Sequence, residues 1–269
     1  MEPTHYIIRG GIEGRERLRI LARVMRPASI ALLQRAGIRP GMSCLDLGCG
    51  GGDLTRDLAQ IVGAAGRVVG IDIDETKLAL ARQEASASGL ANIEFRCTDI
   101  AAAGIEMEFD LVHARFLLSH LANPAQALTC MRKALRPGGI VAVEDVEFRG
   151  HFSHPHSPAL WRYVELYTQC AQRRGADANI GPQLPALLHE AGFEDVQVNV
   201  VQPSGTAGEV KLMTPITMEN IADTVLAEGL ASSDEVERIV DELYEFARTP
   251  GTLWGLPRIV EAWGNNSAY

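Results

Sequence analysis

The sequence predicts an α/β fold: a doubly wound, mainly parallel sheet with helices on both faces. Two observations carry that expectation. Between residues 43 and 146, short apolar runs alternate with stretches of helical period over short connections, the rhythm of parallel strands joined by crossover helices. The first apolar run ends in Leu45-Asp46-Leu47-Gly48-Cys49-Gly50-Gly51-Gly52-Asp53. That is an acid, a tight glycine turn and a helix start, which lets a ligand approach the backbone closely.

Taken in order, residues 1–40 are expected to form an N-terminal helical arm or lid, and residues 41–269 the α/β domain. Strands are expected at 42–47, 67–73, 93–97, 109–114 and 139–146, and helices at 54–62, 75–88 and 125–135. Asn123-Pro124 supplies an N-cap and a first-turn proline, while Arg136-Pro137-Gly138-Gly139 stops the helix and turns the chain. After Val146 the rhythm breaks. Residues 151–158 read as a loop, 159–174 and 182–191 as helices, 194–201 as a strand, 218–229 and 233–248 as helices, and 258–263 as a last strand. Two insertions, at about 148–181 and 204–256, are expected to lie on the side where ligands bind, beyond the carboxyl ends of the strands, and to form helical segments of an acceptor lid.

The chain has 269 residues, 46% of them hydrophobic, enough for a core without disulfides. Its five cysteines show no C-x-x-C pairing, no apolar run reaches membrane-spanning length, and the first residues lack a secretory pattern. A cytoplasmic protein without a membrane or metal is expected, as monomer or homodimer. The His151–His156 run reads as a solvated loop rather than a metal site. A net charge of -9 argues against a nucleic-acid partner. Charge is unevenly placed: eight arginines in the first forty residues, and an acidic segment from 204 to 250. Either both are solvated helical surfaces, or the basic arm docks on the acidic segment over a pocket.

The glycine turn departs from a dinucleotide-binding loop because Asp53 stands where the third glycine would be. Asp46 and Asp53 together suit a ligand with an amino group and a sulfonium better than one with phosphates. Asp72 ends the second strand just over twenty residues on, where a carboxylate can accept ribose hydroxyls, and Asp99 follows the third strand, within reach of an adenine amino group. These segments, with Phe109–Phe116 and Leu135-Arg136-Pro137-Gly138-Gly139, resemble in order and spacing the motifs of class I S-adenosylmethionine (SAM) dependent methyltransferases. The resemblance covers residues 41–146 closely, and the strand at Glu194 more loosely. It implies a Rossmann-like, seven-stranded sheet and SAM as cofactor, with S-adenosylhomocysteine as product. It further implies that Asp46, Cys49 and the backbone of Gly48 and Gly50 meet the methionine part, Asp72 the ribose, and Ile73 the adenine face. Thr98, Asp99 and Ile100 would line the adenine, Ala114 and Arg115 would meet the amino-acid end, and Tyr6 or an arginine of the N-terminal arm would close over it.

Methyl transfer is an in-line displacement, so the protein mainly aligns the acceptor and removes water. For a phenol, carboxylic acid or protonated amine a base also helps. His120, after the fourth strand, and Asp145, at the end of the fifth, are the catalytic candidates; His113, Glu144, His151, His154 and His156 are the wider set. The expected acceptor is a small organic molecule, methylated at oxygen, nitrogen or carbon, with Phe148, Trp161, Tyr163, Tyr167 and Trp254 as candidate pocket walls. The alternatives are a protein or RNA methyltransferase, or a SAM-binding protein of this fold with a non-methylating or regulatory role.

Overall fold

The structure, a computed structural model, describes residues 11–99, 104–105 and 108–267. Its elements run α1 (Gly11–Ala36), β1 (Ser43–Leu47), α2 (Asp53–Val62), β2 (Arg67–Asp72), α3 (Glu75–Ala87), β3 (Ile93–Cys97), β4 (Phe109–Arg115), α4 (Pro124–Ala134), β5 (Leu135–Glu147), β6 (Phe152–His154), α5 (Pro158–Arg173), α6 (Leu184–Glu190), β7 (Phe193–Val201), β8 (Ser204–Gly205), α7 (Glu209–Ala227), α8 (Ser233–Arg248), β9 (Leu253–Gly255) and β10 (Arg258–Asn266). The main sheet has seven strands in the order β3-β2-β1-β4-β5-β10-β7. All are parallel except β10, which runs antiparallel to β5 and β7. The strand order reverses at β1/β4, where the chain leaves two neighbouring strands in opposite directions and opens a crevice.

Alternation along the strands sorts side chains between two cores. Leu45, Leu47, Val69, Ile71 and Val112 meet α4 and α6 on one face. On the other, Cys44, Val68 and Leu111 meet α1 and α2. Local chemistry sets the boundaries: Asp74 and Asn123 cap α3 and α4 by accepting from the N–H of Lys77 and Gln126, and Ser157 and Ser232 do the same for α5 and α8. A further core joins α5, α7 and α8, with Phe148 and Trp254 inside it.

Three features differ from the sequence expectation. Helix α7 starts at Glu209 rather than 218 and runs through Pro215. Met213, Thr214, Pro215 and Thr217 are all buried, and that packing outweighs a proline penalty of about 3 kcal/mol. Residues 152–154 form a strand, not a loop, in a small β6-β9-β8 sheet whose strands are too short to show periodicity. Strand β5 begins at Leu135, and the expected turn survives inside it as a register break opposite Phe109–Leu111.

The basic arm is α1, and its partners are mostly not the acidic segment. Arg15 pairs with Asp53 and Glu84, Arg19 with Glu84 and Arg26 with Asp57, all on α2 and α3. Arg23 alone of these reaches the acidic segment, through Glu209 at 2.6 Å.

Candidate functional site

The glycine turn after β1 is held from beneath and from the side. Gly48, Gly50 and Gly52 all have φ between 55° and 70°, a region that side chains disfavour. A Cβ on Gly52 would also lie 2.7 Å from the Phe95 ring. Asp72 fixes the turn: one carboxylate oxygen accepts from Gly50 N–H at 2.8 Å and the other from Asp74 N–H at 3.0 Å. A carboxylate has about four acceptor positions, so Asp72 keeps capacity for a ligand. Ile73 follows, 71% exposed although apolar. Both residues line a cavity of about 640 Å³ together with Gly48, Cys49, Gly50, Thr98 and Asp99.

Asp46 lies beneath the turn and does not line this cavity. Its carboxylate accepts from Thr55 Oγ1 at 2.6 Å and lies 3.2 Å from His113 Nδ1. His113 is fully buried and reaches Glu144 on β5 through Nε2 at 3.3 Å. Burial disfavours its cation, but hydrogen bonds to the two carboxylates overcome that and raise its pKa. Asp53 borders the cavity but its carboxylate is engaged by Arg15 and by Arg56 at 2.8 Å. Both acids expected to meet the ligand are thus taken up by protein groups. Residue spacing shows an acid at a strand end, and not the hydroxyl, imidazole or guanidinium that the fold brings to it.

Ala114 is buried within β4 and Arg115 lines the cavity, with Nη1 donating to Ser29 of α1 at 3.1 Å. Phe116, the next residue, has φ 51°, a strain of about 1–3 kcal/mol held by its N–H donating to Glu144 O at 2.9 Å. Tyr6 and Ile100 lie outside the described residues.

His120 lines the cavity at the end of a short 3₁₀ turn, Leu118–His120. Desolvation, helped by the nearby Arg17 and Lys77 cations, pushes its pKa down to about 3, so the imidazole is neutral. Asp145 is buried behind that turn and does not line the cavity. It accepts from Ser119 N–H at 3.0 Å and Val146 N–H at 2.8 Å, and burial raises its pKa to about 6. Of the two catalytic candidates, His120 faces the cavity and Asp145 holds the turn that carries it.

The cavity continues away from the glycine turn into an aromatic half. Phe148 and Tyr167 stack at 4.0 Å, and His151 meets Tyr163 edge-on at 5.8 Å. His151 donates from Nδ1 to Phe148 O at 2.7 Å, and desolvation lowers its pKa to about 4. Of the expected aromatic walls, Phe148, Tyr163 and Tyr167 line the cavity; Trp161 is 39% exposed and Trp254 is buried against Phe246. Arg17, Met213 and Thr217 also line it and were not singled out as site residues by sequence. The signal for Arg17 was present: Leu18, Leu21 and Met25 make one helical stripe, and Arg17 lies one turn from Leu21 on it.

The described residues contain no cluster of three or more histidine, cysteine or acidic side chains able to hold a metal. None of their helices is long and apolar enough to cross a membrane.

With this geometry in place, the likeness to known proteins is informative. The profile of a methyltransferase domain matches residues 38–180. The 2-phytyl-1,4-naphtoquinone methyltransferase of Thermosynechococcus vestitus is 35% identical over 58% of this chain and 74% of its own. A ubiquinone/menaquinone biosynthesis C-methyltransferase of Ectopseudomonas mendocina is 34% identical over 51% of this chain, which spans about half, 52%, of that relative's length. Among solved structures, the [4+2]-cyclase SpnF shares the fold at a TM-score of 0.56, with 21% identity over 90% of this chain and 81% of that one. The chain belongs to the methyltransferase domain family, among the class I SAM-dependent methyltransferases.

Proposed function

We propose that this chain transfers a methyl group from SAM to a small organic acceptor, at oxygen, nitrogen or carbon. One observation carries the reading: a single cavity runs from the glycine turn, Asp72, Ile73 and Asp99 to the aromatic half at Phe148, Tyr163 and Tyr167. Donor and acceptor can therefore meet without crossing bulk water. The cofactor end fits SAM. Gly48 and Gly50 line the cavity with backbone alone, the Asp72 carboxylate keeps acceptor capacity for ribose hydroxyls, and the exposed face of Ile73 suits the adenine. Asp99 and Thr98 stand beyond it for the adenine edge, and Arg115 is placed for the amino-acid end. Bound there, SAM supplies an electrophilic methyl on a positively charged sulfur.

The chain's own residues align and shield. Leu18 of α1 lies over the glycine turn, its Cδ1 3.4 Å from where a Cβ of Gly50 would be, and so excludes water from the methionine end. His120 is a neutral imidazole and a weak base, suited to orienting the acceptor by a hydrogen bond rather than to removing a strongly held proton. Asp145 is a positioning residue acting through Ser119. The lid over the acceptor is formed by α1 with the insertions at about 148–181 and 204–256.

The test is calorimetric binding of S-adenosylhomocysteine followed by an assay with methyl-labelled SAM against a panel of phenols, amines and carboxylic acids. Binding together with label transfer is expected. Binding of NADH in place of S-adenosylhomocysteine overturns the cofactor reading. Tight S-adenosylhomocysteine binding without transfer to any acceptor favours the second reading, a non-methylating catalyst, which the likeness in fold to a cyclase makes concrete.

A further inference from the structure

The arginines of α1 divide into two kinds. Arg15, Arg19, Arg23, Arg26 and Arg35 each pair with a carboxylate. Arg17 is different. It is only 8% exposed, yet among the described residues no carboxylate pairs with it. Its Nε donates to Thr217 Oγ1 at 3.0 Å, and that hydroxyl is itself committed, donating to Met213 O at 2.6 Å. The guanidinium is therefore fixed in direction, with its terminal nitrogens left for the cavity it lines. An unpaired buried cation is costly, and a ligand anion removes the cost.

Charge along the cavity is segregated in the complementary sense. Its acidic lining residues, Asp53, Asp72, Asp74, Glu75 and Asp99, all come from the glycine turn and the ends of β2 and β3, the end assigned to the cofactor. The half walled by Phe148, His151, Tyr163, Tyr167 and Met213 has no acidic lining residue among those described. The two histidines that line the cavity, His120 and His151, are weak bases, because burial lowers the pKa of each. A substrate entering this half has flat apolar walls, one fixed fork of hydrogen-bond donors, and no strong base to ionise it. An acceptor that already carries a negative charge meets that fork without help from a protein base.

We propose that the acceptor is a flat aromatic oxyanion, a phenolate or an arylcarboxylate, whose charged oxygen is held by Arg17. The proposal rests on the methyltransferase reading and extends it to the acceptor. A negative acceptor opposite a sulfonium also suits a dry cavity, since opposite charges attract more strongly there than in water. Arg17 is in this account a substrate-binding residue whose orientation is set by Thr217.

The experiment uses the full chain saturated with S-adenosylhomocysteine and two pairs of probes. One is 2-naphthoate against 2-naphthamide; the other is 4-nitrophenolate against 4-nitroanisole, at a pH above the phenol's own pKa. The expected result is an anion preference of about ten- to a hundredfold, the size of a charge-assisted hydrogen bond. It should vanish in Arg17→Met and be largely kept in Arg17→Lys, with affinity for S-adenosylhomocysteine unchanged. A preference confined to naphthoate or to nitrophenolate supports the proposal and names the oxyanion. Equal binding of the neutral partners by the wild-type protein overturns it, a result that needs no variant to fold. Loss of S-adenosylhomocysteine affinity in Arg17→Met also overturns it, by assigning Arg17 to the cofactor's carboxylate. Failure of the wild-type chain to bind S-adenosylhomocysteine at all is the separate failure of the methyltransferase reading.

Discussion

His113 is fully buried between two carboxylates, Asp46 at 3.2 Å and Glu144 at 3.3 Å. Replacing it by Gln leaves both acids without their cation, and breaking a buried pair from one side costs about 3–5 kcal/mol. Its folded pKa is raised above the ordinary value of 6.5. The folded state therefore binds the proton more tightly, and the stabilisation is complete below about pH 6.5 and lost as pH rises through the raised value. Urea unfolding of the wild type and His113→Gln should show a wide gap in mildly acid buffer that narrows in alkaline buffer; a constant gap would mean that His113 is neutral in the fold. Asp72 makes the matching case for binding. Asp72→Ala removes two hydrogen bonds that shape the glycine turn as well as the expected ribose contact. Calorimetry should show S-adenosylhomocysteine affinity falling by tenfold or more with the circular dichroism spectrum unchanged. Asp46 and Asp72 were equally visible in the sequence as strand-end acids. Only the fold shows that Thr55 and His113 take up the first while the second opens on the cavity, because those partners are nine and 67 residues from Asp46.

At the scale of elements, α1 is the part whose docking matters most to the site. It binds the glycine turn through Arg15, which is 2% exposed and lies 2.6 Å from both Asp53 and Glu84. Burial works against ionisation of Glu84, but hydrogen bonds from Arg15 and Arg19 win and bring its pKa down to about 2. That stabilisation is present above the ordinary carboxylate value and drains away as pH falls toward 2. Arg15→Met should cost about 1–3 kcal/mol, since Arg19 and Arg56 still serve the two acids. It should also speed release of S-adenosylhomocysteine, measured by stopped-flow displacement, because Leu18 covers the turn from the same helix. An unchanged release rate would show that α1 shields nothing. The sequence marked α1 as basic and helical, and left open whether its charge is solvated or meets residues 204–250. Most of it meets α2 and α3 instead, for helical period shows which residues share a face and not which helix that face will find. The same limit hid the start of α7: EVKLMTP reads as a broken helix until its burial is known.

The molecule as a whole places its cavity between two differently built halves. The sheet side, from Ser43 to Val146, has the regular strand and helix alternation that made it legible. The α5, α7 and α8 side is an apolar cluster whose turns and insertions carry no repeating pattern. Met213 and Thr217 of the aromatic end come from that second half and emerged only from packing, whereas the glycine-turn end could be read from motifs and Arg17 from the stripe it shares with Leu21. This division sets up a test of the whole arrangement. A ligand that binds only the folded protein stabilises it by about 2.7 kcal/mol at one hundred times its Kd. For a chain of this size that corresponds to a rise in Tm on the order of 5–10 °C. S-adenosylhomocysteine makes its expected contacts on the sheet side, but α1 spans both halves, pairing with Asp53 and Glu84 through Arg15 and with Thr217 through Arg17. Hydrogen exchange should therefore slow in α1 and α7 as well as in the glycine turn when S-adenosylhomocysteine is added. If protection stays confined to residues 43–146, the two halves move independently, and α1 does not couple cofactor binding to closure over the acceptor.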